Sequence, residues 1–118
     1  EDQTIWLAKV ILEKQKEYNL PIYFLGKAFK ANVNLTAGSF AILLKNILEQ
    51  KFNTQVKMYD PFIDNYFFNE SEPHVFFIAT NHDKFRNYLF PKGSVIIDPW
   101  RYIPDKPDCI VIRIGQNK

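Results

Sequence analysis

Short apolar runs bounded by turn residues punctuate this chain. Ile22-Tyr23-Phe24-Leu25 follows a break at Asn19-Leu20-Pro21 and closes at Gly26. Gln55 to Tyr59 stops at Asp60-Pro61, Val75 to Ala79 stops at Thr80, Ser94 to Ile97 stops at Asp98-Pro99, and Cys109 to Ile114 comes last. A strand covered on both faces reads as a short continuous apolar run, because successive side chains point to opposite sides and both sides are dry. Five strands are expected.

Helical patterns lie between them. Thr4 to Tyr18 contains neither Pro nor Gly, with Asp2, Gln3 or Thr4 as candidate caps. Ile5, Trp6, Leu7, Ala8, Val10, Ile11 and Leu12 spread around more than one face of its first half, which predicts packing against two surfaces. Ser39 is placed to cap a second helix with Phe40, Leu43, Leu44 and Ile47 on one stripe. Residues 62 to 73 look irregular or weakly helical. Thr80 and Asp83 are spaced as a capping box for a short helix.

This alternation predicts an α/β domain: a Rossmann-like three-layer arrangement with a mostly parallel sheet and helices on both faces. Residues 1–118 form one domain, with 1–19 a helix leading in from further domains and 20–118 the core. The start at Glu1 reads as a cut from a longer protein.

Composition narrows the function. Fifteen Lys and Arg are scattered among thirteen acids for a net charge of +2, with no basic stripe, so no nucleic-acid partner is expected. No apolar run is long enough to span a membrane and no leader is visible, which gives a cytoplasmic expectation. Cys109 is the single cysteine, so no internal disulfide can form. At the head of an apolar strand it reads as a buried small hydrophobe. Aromatics reach 16%, more than one small core usually absorbs, so part of them is expected on a surface facing another domain or subunit.

Ligands of open parallel sheets bind beyond the carboxyl ends of the strands. Here those segments are 26–38, 60–64, 80–83 and 98–102. They hold Lys27, Lys30, Asn32, Asn34, Thr36, Ser39, Asp60, His82 and Arg101, a cationic set rich in amides and hydroxyls that suits a phosphorylated or polyhydroxyl ligand. Gly26 stands alone at its strand end, so neither a dinucleotide fingerprint nor a Walker loop is present. The acidic pair and acceptor aspartate of a phosphoacceptor receiver are missing, since the matching positions read Gly26-Lys27 and Ala79-Thr80. Asp60 before Pro61 either ends its strand or grips a ribose; His82 either packs and caps or takes a chemical role.

The runs LGKAFKANVNLTAGS (Leu25 to Ser39), KMYDPFID (Lys57 to Asp64), VFFIATNHDKFRN (Val75 to Asn87) and SVIIDPWRYIPD (Ser94 to Asp105) occur in that order. Together they resemble the C-terminal UDP-binding domain of the UDP-glucose and GDP-mannose dehydrogenase family, with its G-x-A-F-K, Y-D-P, T-x-H-x-x-F and I-D-x-R-like elements. The resemblance implies that this domain holds the UDP part of a UDP-sugar against a separate catalytic half. Phe29 and Lys30 would lie along the nucleotide and sugar, and Arg101 would approach from the other side; Asn34 and Thr36, taken from the strand-end loop and not from the motif, complete the expected substrate-binding set. It implies no cofactor in this fragment, NAD bound by an N-terminal domain of the parent enzyme, a catalytic cysteine in those other domains, and pairing into a homodimer. The chain departs from the family where an arginine-bearing D-x-R-x-S-P stretch reads Asn34 to Ser39, with Ala37 in the arginine position. The alternative is an interaction or oligomerisation domain that kept the fold and lost its ligand.

Overall fold

A computed structural model describes residues 2–114; Glu1 and the last part of the expected core, 115–118, lie outside the described residues. The elements run α1 (Asp2–Tyr18), β1 (Ile22–Leu25), α2 (Phe40–Lys51), β2 (Val56–Tyr59), β3 (Val75–Ile78), a 3-10 turn (Asp83–Asn87), β4 (Val95–Asp98) and β5 (Ile110–Arg113). All five strands pair in parallel, in the order β2-β1-β3-β4-β5. The expected Rossmann-like α/β architecture is present.

The three central strands are buried at every position, as their unbroken apolar runs require. Alternation splits them between two cores. Ile22, Phe24, Val75, Phe77, Val95 and Ile97 face α1 and α2, meeting Leu7, Ala8, Ile11, Ala41, Leu44 and Leu48. Tyr23, Leu25, Phe76, Ile78 and Ile96 face the other way. Phe76 and Phe77 are adjacent in sequence, both wholly buried, and belong to different cores.

Both long helices therefore lie on one face, a correction to the expectation of helices on each side. The second face is covered by the 3-10 turn and by irregular segments that contribute Phe68, Phe85, Tyr88, Phe90 and Ile103. Pro61, Pro73, Pro91, Pro99, Pro104 and Pro107 lie in or beside these segments, where each removes an amide donor and fixes φ. Aromatic rings fill the space instead. Phe68 meets Tyr23, Tyr59, Phe76 and Tyr88 with ring centroids 5.0–5.9 Å apart. Much of the aromatic excess thus lies inside the domain.

Two further expectations change. On α2 the buried stripe is Ala41, Leu44 and Leu48, while Leu43 is 51% exposed and Phe40 36%. The sheet lies under the face set by Ala41, so Phe40 and Leu43 point away from it. The capping box also fails to form. The Thr80 hydroxyl donates to the Ala28 carbonyl at 3.0 Å, and the 3-10 turn starts at His82 without a side-chain cap. The Ser39 cap does form, accepting from the Ile42 amide at 3.3 Å. No helix among the described residues is long and apolar enough to cross a membrane.

Candidate functional site

Gly26 ends β1 at φ +108°, and a Cβ there would lie 2.6 Å from both the amide nitrogen and the side chain of Thr80. Only glycine permits the chain after β1 to lean this closely on the end of β3. The neighbouring contacts extend the join: Thr80 to Ala28, and the Asn32 amide to Nδ1 of His82 at 2.7 Å. Strand order reverses between β1 and β3, which is where open sheets usually leave a crevice. Here the 26–39 segment packs down into that position.

Asp60, wholly buried at the end of β2, organises the join. Its Oδ2 accepts from the Lys27 amide at 2.6 Å, the Ala28 amide at 3.0 Å and Nε2 of His82 at 2.9 Å. Its Oδ1 accepts from the Phe62 amide at 2.8 Å. Asp64 accepts from the Asp60 amide at 2.9 Å and pairs with Nζ of Lys27 at 2.9 Å. Burial pushes the Asp60 carboxyl up, but the hydrogen bonds from His82, Lys27 and Phe62 outweigh it and hold the group below its ordinary value.

His82 is wholly buried and both ring nitrogens are engaged. Nδ1 faces an amide N–H, so it must accept, and the proton then sits on Nε2 where it is donated to Asp60. A histidine held this way has no lone pair left for a substrate proton. Of the two roles open for it in the sequence, packing and positioning is the one the geometry supports.

Asp98 does for β4 what Asp60 does for β2. Oδ1 accepts from the amides of Trp100 and Arg101 at 3.0 and 2.8 Å, and Oδ2 from those of Tyr102 and Ile103, both at 2.7 Å. Wrapping the backbone around one carboxylate forces Arg101 to φ +61° and sets its side chain in the open. The Trp100 indole donates to the Ile78 carbonyl at 2.9 Å and the Tyr102 hydroxyl to the His82 carbonyl at 2.7 Å, tying this loop to β3. Burial raises the Tyr102 phenol well above its ordinary value.

Phe29, Lys30, Asn34, Thr36 and Arg101 all lie in loops beyond the carboxyl ends of the strands, and all are exposed. Among the described residues, none of their side chains makes a hydrogen bond or ion pair. The Phe29 ring lies against Gly38, where an added Cβ would be 3.6 Å from Cδ1. The loops carrying Lys30 and Arg101 follow β1 and β4, with β3 between them, so strand spacing sets them roughly 10 Å apart at their roots. Lys27 and Asn32 belong to the join: Asn32 exchanges hydrogen bonds with Asp83 at 3.1 and 3.2 Å.

Cys109 precedes β5 and so stands at the amino edge of the sheet, opposite these loops. It is half-buried, not enclosed, against the aromatic core, and its Sγ lies 3.4 Å from the Pro91 carbonyl. Burial raises its thiol, the reverse of what a nucleophile needs. Sequence reasoning missed Asp98 and the tie between Asn32 and His82. The repeated Asp-Pro after β2 and β4 was the available signal for Asp98; nothing local marks the pairing of residues fifty positions apart.

These features define a Rossmann-like α/β domain with a carboxyl-edge loop cluster presenting exposed cations. Compared with protein-family models, curated proteins and solved structures, the chain gives no match.

Proposed function

We propose that this chain is a nucleotide-sugar-binding domain that holds the UDP part of a UDP-sugar for a separate catalytic half, in the manner of the dehydrogenase family its motifs resemble. The supporting observation is that Lys30 and Arg101 stand exposed, with no carboxylate partner among the described residues, on loops whose backbones are fixed by buried aspartates. Cations on rigid loops lose little entropy when a diphosphate arrives. The first turn of α2 has no acidic residue, so its positive end adds to the field around the 29–38 loop. Phe29, with 55% of its surface exposed, offers a flat apolar face beside Lys30.

Oxidation of the sugar belongs to other domains. Gly26, which closes β1, is committed to its contact with Thr80, so these residues do not fit the pyrophosphate of NAD. Cys109 faces the wrong edge to act as nucleophile. NAD and the catalytic cysteine are accordingly assigned to preceding domains of a parent enzyme.

A thermal-shift titration with UDP, UDP-glucose, UDP-glucuronate and GDP-mannose tests this reading. A ligand that binds only the folded state adds about 2.7 kcal/mol at a hundredfold excess over Kd, so a UDP-selective rise in Tm is expected. It should shrink in Lys30→Ala and Arg101→Ala. An equal rise in both variants, or none with any nucleotide, rejects it.

The competing reading, an interaction domain without a ligand, draws on Trp6 (46% exposed) and Leu43 (51%) on the helical face. It predicts concentration-dependent self-association that Trp6→Ala with Leu43→Ser abolishes.

A further inference from the structure

On the aromatic face the chain turns two large apolar side chains outward. Phe68 enters the core while the preceding Phe67 is 92% exposed, and Tyr88 packs inward while the following Leu89 is 87% exposed. Between them lies a hollow of about 370 Å³ floored by Tyr59, Phe68 and Tyr88. A second, of about 210 Å³, adjoins it and shares Tyr59, Pro61, Phe67 and Lys84. The larger is within the usual range for small-molecule sites, roughly 300–1,000 Å³.

Its chemistry is specific. The floor and one wall are aromatic, and Phe67 has no ring partner among the described residues, so a flat guest can stack on it. The charge is single-signed. Asp64, the one acid on the lining, is already bound to Nζ of Lys27 and to the Asp60 amide. Lys84 has no carboxylate partner among the described residues, and its ammonium lies 5.0 Å from the centre of the Phe62 ring at the same edge. An apolar slot with one uncommitted cation on its rim selects a planar aromatic group carrying an anionic substituent.

We infer that this groove is a second binding site, for a planar aromatic anion, with Phe67 as the stacking wall and Lys84 as the anion contact. It shares no residue with the set Phe29, Lys30, Asn34, Thr36 and Arg101, so it stands or falls apart from the nucleotide-sugar reading.

The test is a titration of the ¹⁵N-labelled chain with 2-naphthoate, with uncharged 2-naphthylmethanol as control, followed by amide chemical shifts. Saturable shifts at Phe67, Lys84 and Leu89 are expected, with naphthoate bound about threefold more tightly than the alcohol, the scale of an exposed ion pair. Lys84→Met should erase that preference and leave alcohol binding unchanged. Phe67→Ala should weaken both ligands about tenfold, the scale of one lost aromatic contact. Each variant is on the surface, and an otherwise unchanged spectrum verifies its fold. The inference is overturned by no saturable shift up to about 10 mM, a range in which even a weak site fills. It is equally overturned by affinities that neither variant alters, or by concentration-dependent shifts at Phe67 and Leu89 without ligand, which would show a second copy covering the groove.

Discussion

His82 donates from Nε2 to Oδ2 of Asp60 at 2.9 Å, and neither side chain is open to solvent. The pair joins the end of β2 to the start of the 3-10 turn after β3, across β1. With Nδ1 accepting from Asn32, it also fixes the loop that carries Lys30, Asn34 and Thr36.

Removing Asp60 should therefore be costly. Asp60→Ala leaves the amides of Lys27, Ala28 and Phe62 and the His82 ring without their acceptor, and a loss of about 3–5 kcal/mol is expected. Urea unfolding of the variant against the parent chain measures it. A loss under about 1 kcal/mol would mean the network is not formed in solution.

Gly26→Ala is expected to cost about 3 kcal/mol or more. The new methyl meets the backbone nitrogen of Thr80, which cannot swing aside, and φ +108° is closed to residues with a Cβ. Thermal unfolding checks this, and Thr80→Ser should not rescue it because the nitrogen remains.

Arg101 allows binding to be separated from folding. At φ +61° its backbone suits glycine, so Arg101→Gly should leave stability unchanged or raise it by up to about 1 kcal/mol. UDP affinity should nonetheless fall. A variant that melts as late as the parent and binds as well would remove the guanidinium from the proposed site.

Stability should vary with pH at both ends. The Asp60 carboxyl is held below its ordinary 3.8, so its contribution is complete above about pH 4 and is lost as pH falls through the depressed value. Tyr23 moves the other way: burial, reinforced by Tyr66 and Glu70, pushes its phenol up to about 12. The fold then favours the neutral phenol, and its contribution is lost as pH rises from about 10 toward 12. Tm measured across pH should drop on both flanks, and Tyr23→Phe should lessen the alkaline drop, the raised phenols of Tyr59, Tyr88 and Tyr102 keeping part of it.

The strands were legible because burial on both faces leaves unbroken apolar runs such as Ile22 to Leu25 and Val75 to Ile78, which turn residues close off within a residue or so of the observed ends. Ser39 was legible because a cap is a contact three residues long. Alternation of strand with helix or segment similarly carried the parallel sheet. The loops beyond the strand ends, with Lys30, Asn34, Thr36 and Arg101 on them, followed from that sheet and a general rule about where ligands sit. What the sequence by itself determined, then, was where the strands lie, the Ser39 cap and the parallel sheet they build.

Tertiary structure alone decided the rest. Ala41, Leu44 and Leu48 became the buried stripe of α2 only when the sheet chose that face over Phe40 and Leu43, which are equally apolar. Thr80 does not cap because the 3-10 turn starts two residues later, at His82, and its hydroxyl donates to the Ala28 carbonyl instead. The second face took aromatic segments instead of a helix, and their rings fill the volume. Asp60 and Asp98 became hubs because their strands end where several backbone amides converge, and His82 met Asn32 across fifty intervening positions. Such contacts depend on which surfaces the closed core brings together, and a hydrophobic pattern carries periodicity along one element but no information about the partner across the gap.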